Sequence, residues 1–348
     1  MNKFTKLLKI EHAIVQGPFG GGYSSVSLAG AVSNAGGLGS FGANHLSQQQ
    51  ILEVNQQLKA ATKAPYSINL WIKNEQYAKE YSEQDFEKTK AVFQPFFDAL
   101  GVAMPDKPEL PTTQQYEQQI EAILEAKPPV FSFVYGVPEA AVLRALQQRG
   151  IFTLGAATTV EEALEIEEAG IDAVVATGFE AGGHRVAFLD APENQLMGTF
   201  SLVPRVADAV NIPVVAAGGV ADRRGIQAAR ALGADAVQIG TAFLACKESN
   251  APDIHRRALF GPEAEKTVLT KSLTGRLARG TQGQWAELTK NSWDDLAPYP
   301  IQGLFIRPLR AAAIAQGRTD LLTFWAGQSA PLLSKIDAQS LMEALTKP

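Results

Sequence analysis

The chain has 348 residues, 46% of them hydrophobic, enough for one large domain with a deep core or for two smaller ones. A formal net charge of −5 and the absence of any Lys/Arg cluster argue against a nucleic-acid partner, whose phosphates demand a basic face. A single cysteine, Cys246, rules out an intramolecular disulfide. No apolar run is long enough to span a bilayer, and Lys9 and Glu11 interrupt any signal-like stretch at the start, so a cytoplasmic protein is expected.

Along the chain, short runs rich in Val, Ile and Phe read as parallel strands buried on both faces. The first is Ala13–Phe19, followed by a helix pattern at Ser27–Ala35 and a second run at Leu38–Ala43. Ser47 and Gln50 have the spacing of a capping box, which opens the helix leading to the third run, Tyr66–Ile72. The next segment, about 73–129, is rich in Gln, Glu and Lys, with aromatic residues at Tyr77, Tyr81, Phe86, Phe93, Phe96 and Phe97. It reads as a helical insertion after the third strand, on the side where it can cover an active site.

Val130–Val137, Phe152–Ala157, Ala173–Gly178, Pro213–Val220 and Ala236–Leu244 complete a set of eight runs, with helix patterns such as Val160–Ala169 and Arg224–Leu232 between them. Gly36, Gly170 and Gly233 fall where helices end, as a left-handed C′ residue would. "AGIDAVVATG" and "LGADAVQIGT" repeat one strand–helix–strand plan about two β-α units apart. The pattern predicts a single (β/α)₈ TIM barrel spanning 1–348, with an open doubly wound sheet as the structural alternative. The tail after Asn250, which holds Trp285, Trp293, Tyr299 and Trp325, is expected to pack back on the barrel.

Gly37, Gly39 and Gly42 spell G-x-G-x-x-G, but a helix pattern precedes them and a strand follows, the reverse of a dinucleotide-binding turn. Gly218 and Gly219 lie where the seventh strand ends, and Gly240 and Thr241 near the end of the eighth. Loops at these places in a barrel bind phosphate, glycine admitting backbone N–H groups and Thr241 adding a hydroxyl. His184 in "TGFEAGGHR" is a candidate proton acceptor or donor on a glycine loop. Glu180 and His184 have an i, i+4 spacing, but Gly182 and Gly183 disfavour the helix that zinc binding would need, so no metal is expected. Cys246, with no neighbouring His, reads as a buried structural thiol.

With "IVQGPFGGG", "AVSNAGGLGSFGA", "INLW", "GFEAGGHR", "PVVAAGGVAD" and "VQIGTAF" in this order, the chain resembles the nitronate monooxygenases, and "PYPIQG" and "WAGQSA" continue the likeness. The resemblance implies an FMN-dependent oxidoreductase that oxidises alkyl nitronates with O₂ to a carbonyl compound and nitrite. The alternative on the same barrel is an FMN-dependent NAD(P)H reductase of enoyl thioesters or quinones. Carried over by motif, Asn69 and Gln238 bond the flavin, with Thr177 and Ile239 alongside. Gly182 and Gly183 lie against it, Gly218, Gly219, Gly240 and Thr241 hold its phosphate, and His184 is the active-site histidine. Thr177 stands where many relatives carry Gln, and Phe19 where methionine is common, changes that bear on flavin hydrogen bonding and on the substrate pocket. From their chemistry, Tyr299 and Arg307 in the tail are expected to contact a substrate carboxylate.

Overall fold

The computed structural model of the chain describes residues 2–72, 81–106 and 115–347; Tyr77 lies outside them. In chain order the strands are β1 (Ile14–Gln16), β2 (Gly39–Gly42), β3 (Tyr66–Trp71), β4 (Val130–Val134), β5 (Phe152–Ala157), β6 (Ala173–Thr177), β7 (Gly183–His184), β8 (Val214–Ala217), β9 (Ala236–Ile239), β10 (Thr267–Thr270) and β11 (Ala278–Thr281). Eight of them form a parallel sheet in the order β1-β9-β8-β6-β5-β4-β3-β2. Val15 bridges Leu38, and Gln16 N and Leu38 N donate to Leu38 O and Ile14 O at 2.9 Å each, so β1 meets β2 and the sheet closes into a barrel. Helices surround it, as a TIM barrel requires.

Strand alternation divides the core. One set of side chains, including Val15, Leu38, Val130, Leu154, Val175, Val215 and Ala236, fills the interior, while the other faces the helices. The helix Lys3–Leu8 inserts Phe4 and Leu8 into the interior set, with Phe4 edge-on to Phe152 at 6.4 Å. Burying two such side chains stabilises the fold by about 1.5–3 kcal/mol each. The basic stretch at the start thus serves as the barrel floor.

The internal echo has a structural cause. Asp172, just before β6, accepts from Thr153 N and Oγ1 at 2.7 Å, and Asp235, just before β9, accepts from Val214 N at 3.1 Å. Each carboxylate satisfies the start of the preceding strand in the sheet. The G-x-G-x-x-G glycines serve packing: a Cβ on Gly39 would lie 1.9 Å from Ala29 O, and one on Gly42 2.3 Å from Phe19 O.

Several strands are shorter than their apolar runs. Beyond β4, Tyr135 and Gly136 turn left-handed (φ 71° and 137°), and the Ala236–Leu244 run splits at Gly240 into β9 and a helical turn, Thr241–Leu244. Apolar runs alone cannot separate a strand from the buried helix that follows it. Within the insertion, the helix Gln115–Ala126 packs on Gln48–Ala61 as an ordinary barrel helix, and Asn55 Nδ2 donates to Ala126 O at 2.9 Å. The helix Glu83–Leu100 instead packs on the tail, with Phe93 stacked on Phe305 at 6.0 Å and Phe96 edge-on to Trp285 at 6.2 Å. Among the described residues no helix is long and apolar enough to cross a membrane.

The tail also builds a second sheet. Strand β11 pairs antiparallel with β10 and with β7, Ala278 opposite His184 and Arg279 opposite Gly183. The loop that leaves β6 is therefore held as a strand by residues almost a hundred positions later.

Candidate active site

The C-terminal ends of the strands gather the candidate residues. Thr177, Ala217, Gln238 and Val15 stand in one register row across β6, β8, β9 and β1, and all four point into the barrel with the interior set. Asn69 lies in another row, beside Ser132, whose hydroxyl accepts from Asn69 Nδ2 at 3.1 Å and from Ser67 Oγ at 2.9 Å. Thr177 is buried and its hydroxyl donates locally to Val175 O at 3.4 Å, while Gln238 is partly open toward the mouth. Ile239 turns its side chain to the helix layer, so only its backbone can serve a ligand.

At the same end, Gly218 and Gly219 adopt φ of 98° and 74°, which side chains larger than hydrogen rarely accept. A Cβ on Gly240 would meet nothing within 4 Å, so the turn after β9 is open. Thr241 Oγ1 accepts from Gly327 N at 2.9 Å and keeps its own proton to donate. Asn44 Oδ1, just past β2, is buried with no hydrogen-bond partner among the described residues. Left-handed glycines after β8, an open turn at Gly240 and the Thr241 hydroxyl form a donor set that fits a phosphorylated, polar-edged cofactor.

His184 is partly buried within a cluster of rings. Trp71 and Tyr299 meet it edge-on at 5.3 and 6.1 Å, and Trp325 lies tilted at 5.4 Å. Its Nε2 pairs with Thr274 Oγ1 at 2.8 Å, and the same hydroxyl oxygen accepts from Arg276 N at 3.4 Å. Burial, then the positive charge of Arg276, pulls the imidazole pKa down to about 3, so the ring is neutral at physiological pH. The Arg276 guanidinium lies 4.4 Å from the Tyr135 ring, 4.5 Å from Tyr299 and 5.6 Å from Trp71. Beyond these rings opens a cavity of about 580 Å³ that Tyr135, Arg276 and Tyr299 line, but His184 and the glycine turns do not. Tyr299 thus belongs both to the ring cluster and to the cavity wall.

The supporting residues are spent on structure. Glu180 accepts from Thr199 N at 2.8 and 2.9 Å and from Thr199 Oγ1 at 3.0 Å, at the start of helix Thr199–Ala209. Arg185, buried and with its pKa lowered to about 10 by desolvation, donates to the carbonyls of Gln195, Thr177 and Thr158. The tail crosses this loop closely: a Cβ on Gly182 would lie 2.6 Å from Ala326 C and Gly327 N, and Gln328 N donates to Glu180 O at 2.9 Å. Cys246 is buried, and desolvation raises its thiol pKa, which keeps it protonated.

Sequence reasoning placed His184, Tyr299 and Phe19 at this end. Tyr299 joins the ring cluster, and Phe19 packs against both the barrel core and the tail cluster that includes Trp325. Arg307 does not join them: it is exposed on helix Gln302–Ala315, donates to Gly303 O at 3.2 Å, and is not among the residues lining the cavity. Its helix buries the opposite face against Phe93, leaving Arg307 outward. The residues that sequence reasoning missed, Thr274 and Arg276, lie in "KSLTGR", a polar loop between β10 and β11 with no motif beyond its Ser, Thr and Gly.

The nitronate monooxygenase family model matches residues 2–348. A probable nitronate monooxygenase of Staphylococcus aureus (strain MRSA252) is 37% identical over 98% of this chain and 95% of its own length. Among solved structures, a nitroalkane oxidase from Streptomyces ansochromogenes is similar with a TM-score of 0.89 at 35% identity, covering 99% of this chain and 96% of that one. FabK from Thermotoga maritima is similar with a TM-score of 0.75 at 28% identity, covering 100% and 95%. Full-length likeness in sequence and in the closed barrel agrees with what the strand ends assemble, and the chain belongs to the nitronate monooxygenase family of oxidoreductases.

Proposed function

We propose that the chain is an FMN-dependent enzyme that oxidises alkyl nitronates, such as propionate 3-nitronate, with O₂ to a carbonyl compound and nitrite. Gly218, Gly219, Gly240 and Thr241 would hold the FMN phosphate. Asn69, Thr177, Gln238 and the Ile239 backbone would meet the flavin edge, with Gly182 and Gly183 against the ring. FMN, when bound, supplies the electron acceptance that the oxidation requires. The whole chain acts as one unit in a cytoplasmic setting, with a small-molecule substrate and O₂ as partners.

The observation that carries this reading is a neutral imidazole beside a fixed guanidinium at the barrel mouth. A base with a pKa near 3 is poorly matched to abstracting a carbon-bound proton at neutral pH. The same ring is well suited to hold an oxyanion that arrives already deprotonated, as a nitronate does. Because Nε2 is engaged with Thr274, Nδ1 is the nitrogen that would serve the substrate. If Thr274 donates to Nε2, Nδ1 carries the proton and donates to the nitronate oxygen.

Anaerobic mixing of the FMN-loaded protein with propionate 3-nitronate, and separately with NADH or NADPH, tests it. Rapid bleaching by the nitronate, with nitrite released in air, is expected. Bleaching by the nicotinamide alone would replace this reading with the FMN-dependent NAD(P)H reductase.

A further inference from the structure

We propose that His255, fully buried on the helix Asp253–Phe260, is a positioning residue for the site: one bond from its imidazole sets the Trp325 ring against His184 and the Gly327 N–H on Thr241. The second half of this assignment rests on the flavin reading above; the first half does not.

The bond is what the imidazole supplies at its position. A carbonyl only accepts, so Nε2 carries the proton that it donates to Trp325 O at 2.9 Å. Nδ1 is buried with no hydrogen-bond partner among the described residues, and the neighbouring rings are Tyr23, edge-on at 5.4 Å, and Phe324, tilted at 5.2 Å. An unmet buried acceptor costs stability, and an apolar side chain would fill the same space without that cost. What distinguishes histidine here is therefore its grip on the Trp325 carbonyl.

That carbonyl belongs to a segment fixed at both ends. Phe324 O accepts from Thr281 N at 2.8 Å and Phe324 N donates to Thr281 Oγ1 at 3.0 Å, which ties the segment to β11. Gly327 N donates to Thr241 Oγ1 and Gln328 N to Glu180 O, each at 2.9 Å. Between these ends Trp325 brings its ring to 5.4 Å from that of His184. Because a peptide unit is planar, holding the Trp325 carbonyl fixes the whole plane that follows the ring, and with it the path to Gly327. Gly327 N takes one lone pair of Thr241 Oγ1 and leaves the hydroxyl proton for an anion. Without the His255 bond the Trp325 peptide can turn, and both contacts loosen together.

Two substitutions test this. His255→Met removes the donor with a side chain that adapts to the space, and His255→Gln returns an N–H at the reach of Nε2. Two readouts separate positioning from general support: the His184 ring-proton shifts in NMR spectra, to which the Trp325 ring current contributes, and the ratio of FMN to riboflavin affinity, which isolates the phosphate. His255→Met is expected to move the His184 resonances and to cut the affinity ratio by roughly three- to tenfold, the scale of one hydrogen bond, while His255→Gln restores both. A folded Met variant with both readouts unmoved, or a Gln variant that behaves as the Met variant does, would overturn the assignment. Immediate exchange of the His255 Nε2–H with D₂O in the wild type would overturn it too, and needs no variant to fold. The His184 shifts are also read in flavin-free protein, so a chain that binds no FMN sinks the flavin reading while the grip of His255 on Trp325 is still tested by itself.

Discussion

His184 owes its protonation state to its surroundings: a partly buried ring, three aromatic neighbours and the positive charge of Arg276. Replacing Arg276 with Gln removes the like charge, so the imidazole pKa should rise toward its ordinary value while burial keeps it depressed. Proton NMR titration of His184 reads this, and a pKa unmoved by the substitution would mean that burial alone sets it. For His184→Asn we predict retained flavin and loss of most activity on propionate 3-nitronate, measured as nitrite release, because the imidazole that would hold the nitronate oxygen is gone. The imidazole itself was legible in the sequence because it ends a glycine-rich loop after a strand. Arg276 and Thr274 were not, because only the pairing of β11 with β7 brings their loop to the site. Arg307 had the right chemistry for a carboxylate but sits on the exposed face of its helix.

At the level of elements, the turns after β8 and β9 and the 325–327 strap depend on glycine for different reasons. Gly218→Ala forces a left-handed residue to carry a Cβ, at about 1–2 kcal/mol, and sets that Cβ 3.0 Å from Gly178 O and Thr199 Oγ1. The expected result is weaker FMN retention, measured by flavin fluorescence after gel filtration, with far-UV circular dichroism preserved. Gly182→Ala drives a Cβ into the Ala326–Gly327 backbone at 2.6 Å and should lower stability by about 1–3 kcal/mol through displacement of the strap. A melting temperature equal to the wild type would show that the strap gives way freely. Strand identity and order were readable from apolar runs and helix-ending glycines, whose φ values of 82°, 80° and 98° at Gly36, Gly170 and Gly233 match their role. Strand ends were not, since "AVQIGTAFL" stays apolar across the change from β9 to the helical turn.

Across the whole molecule, the tail is bound to the barrel through buried groups that report on pH. His255 is fully buried, and because a carbonyl can only accept, its Nε2 carries the proton it donates to Trp325 O at 2.9 Å. Burial lowers its pKa to about 4, so below pH 6.5 the unfolded chain takes up a proton that the folded chain refuses. Its contribution is present in full above pH 6.5 and declines as the pH falls toward 4. Between pH 7 and pH 5 this one residue should cost about 2 kcal/mol of stability, seen by urea denaturation and reduced in His255→Gln. His184 acts in the same direction. The barrel and the packed tail were legible as a plan; the three-stranded sheet was not, because a two-residue strand such as β7 has no pattern of its own.

The central claim is that two neighbouring glycine turns grip the phosphate of FMN and so set a flavin beside His184. Titration of flavin-free protein with FMN and with riboflavin, followed by quenching of flavin fluorescence, tests it most directly. The account predicts one tightly bound FMN per chain and riboflavin binding weaker by at least about a hundredfold, since the phosphate contacts are lost. Equal affinity for the two, or no binding of FMN at all, would contradict it.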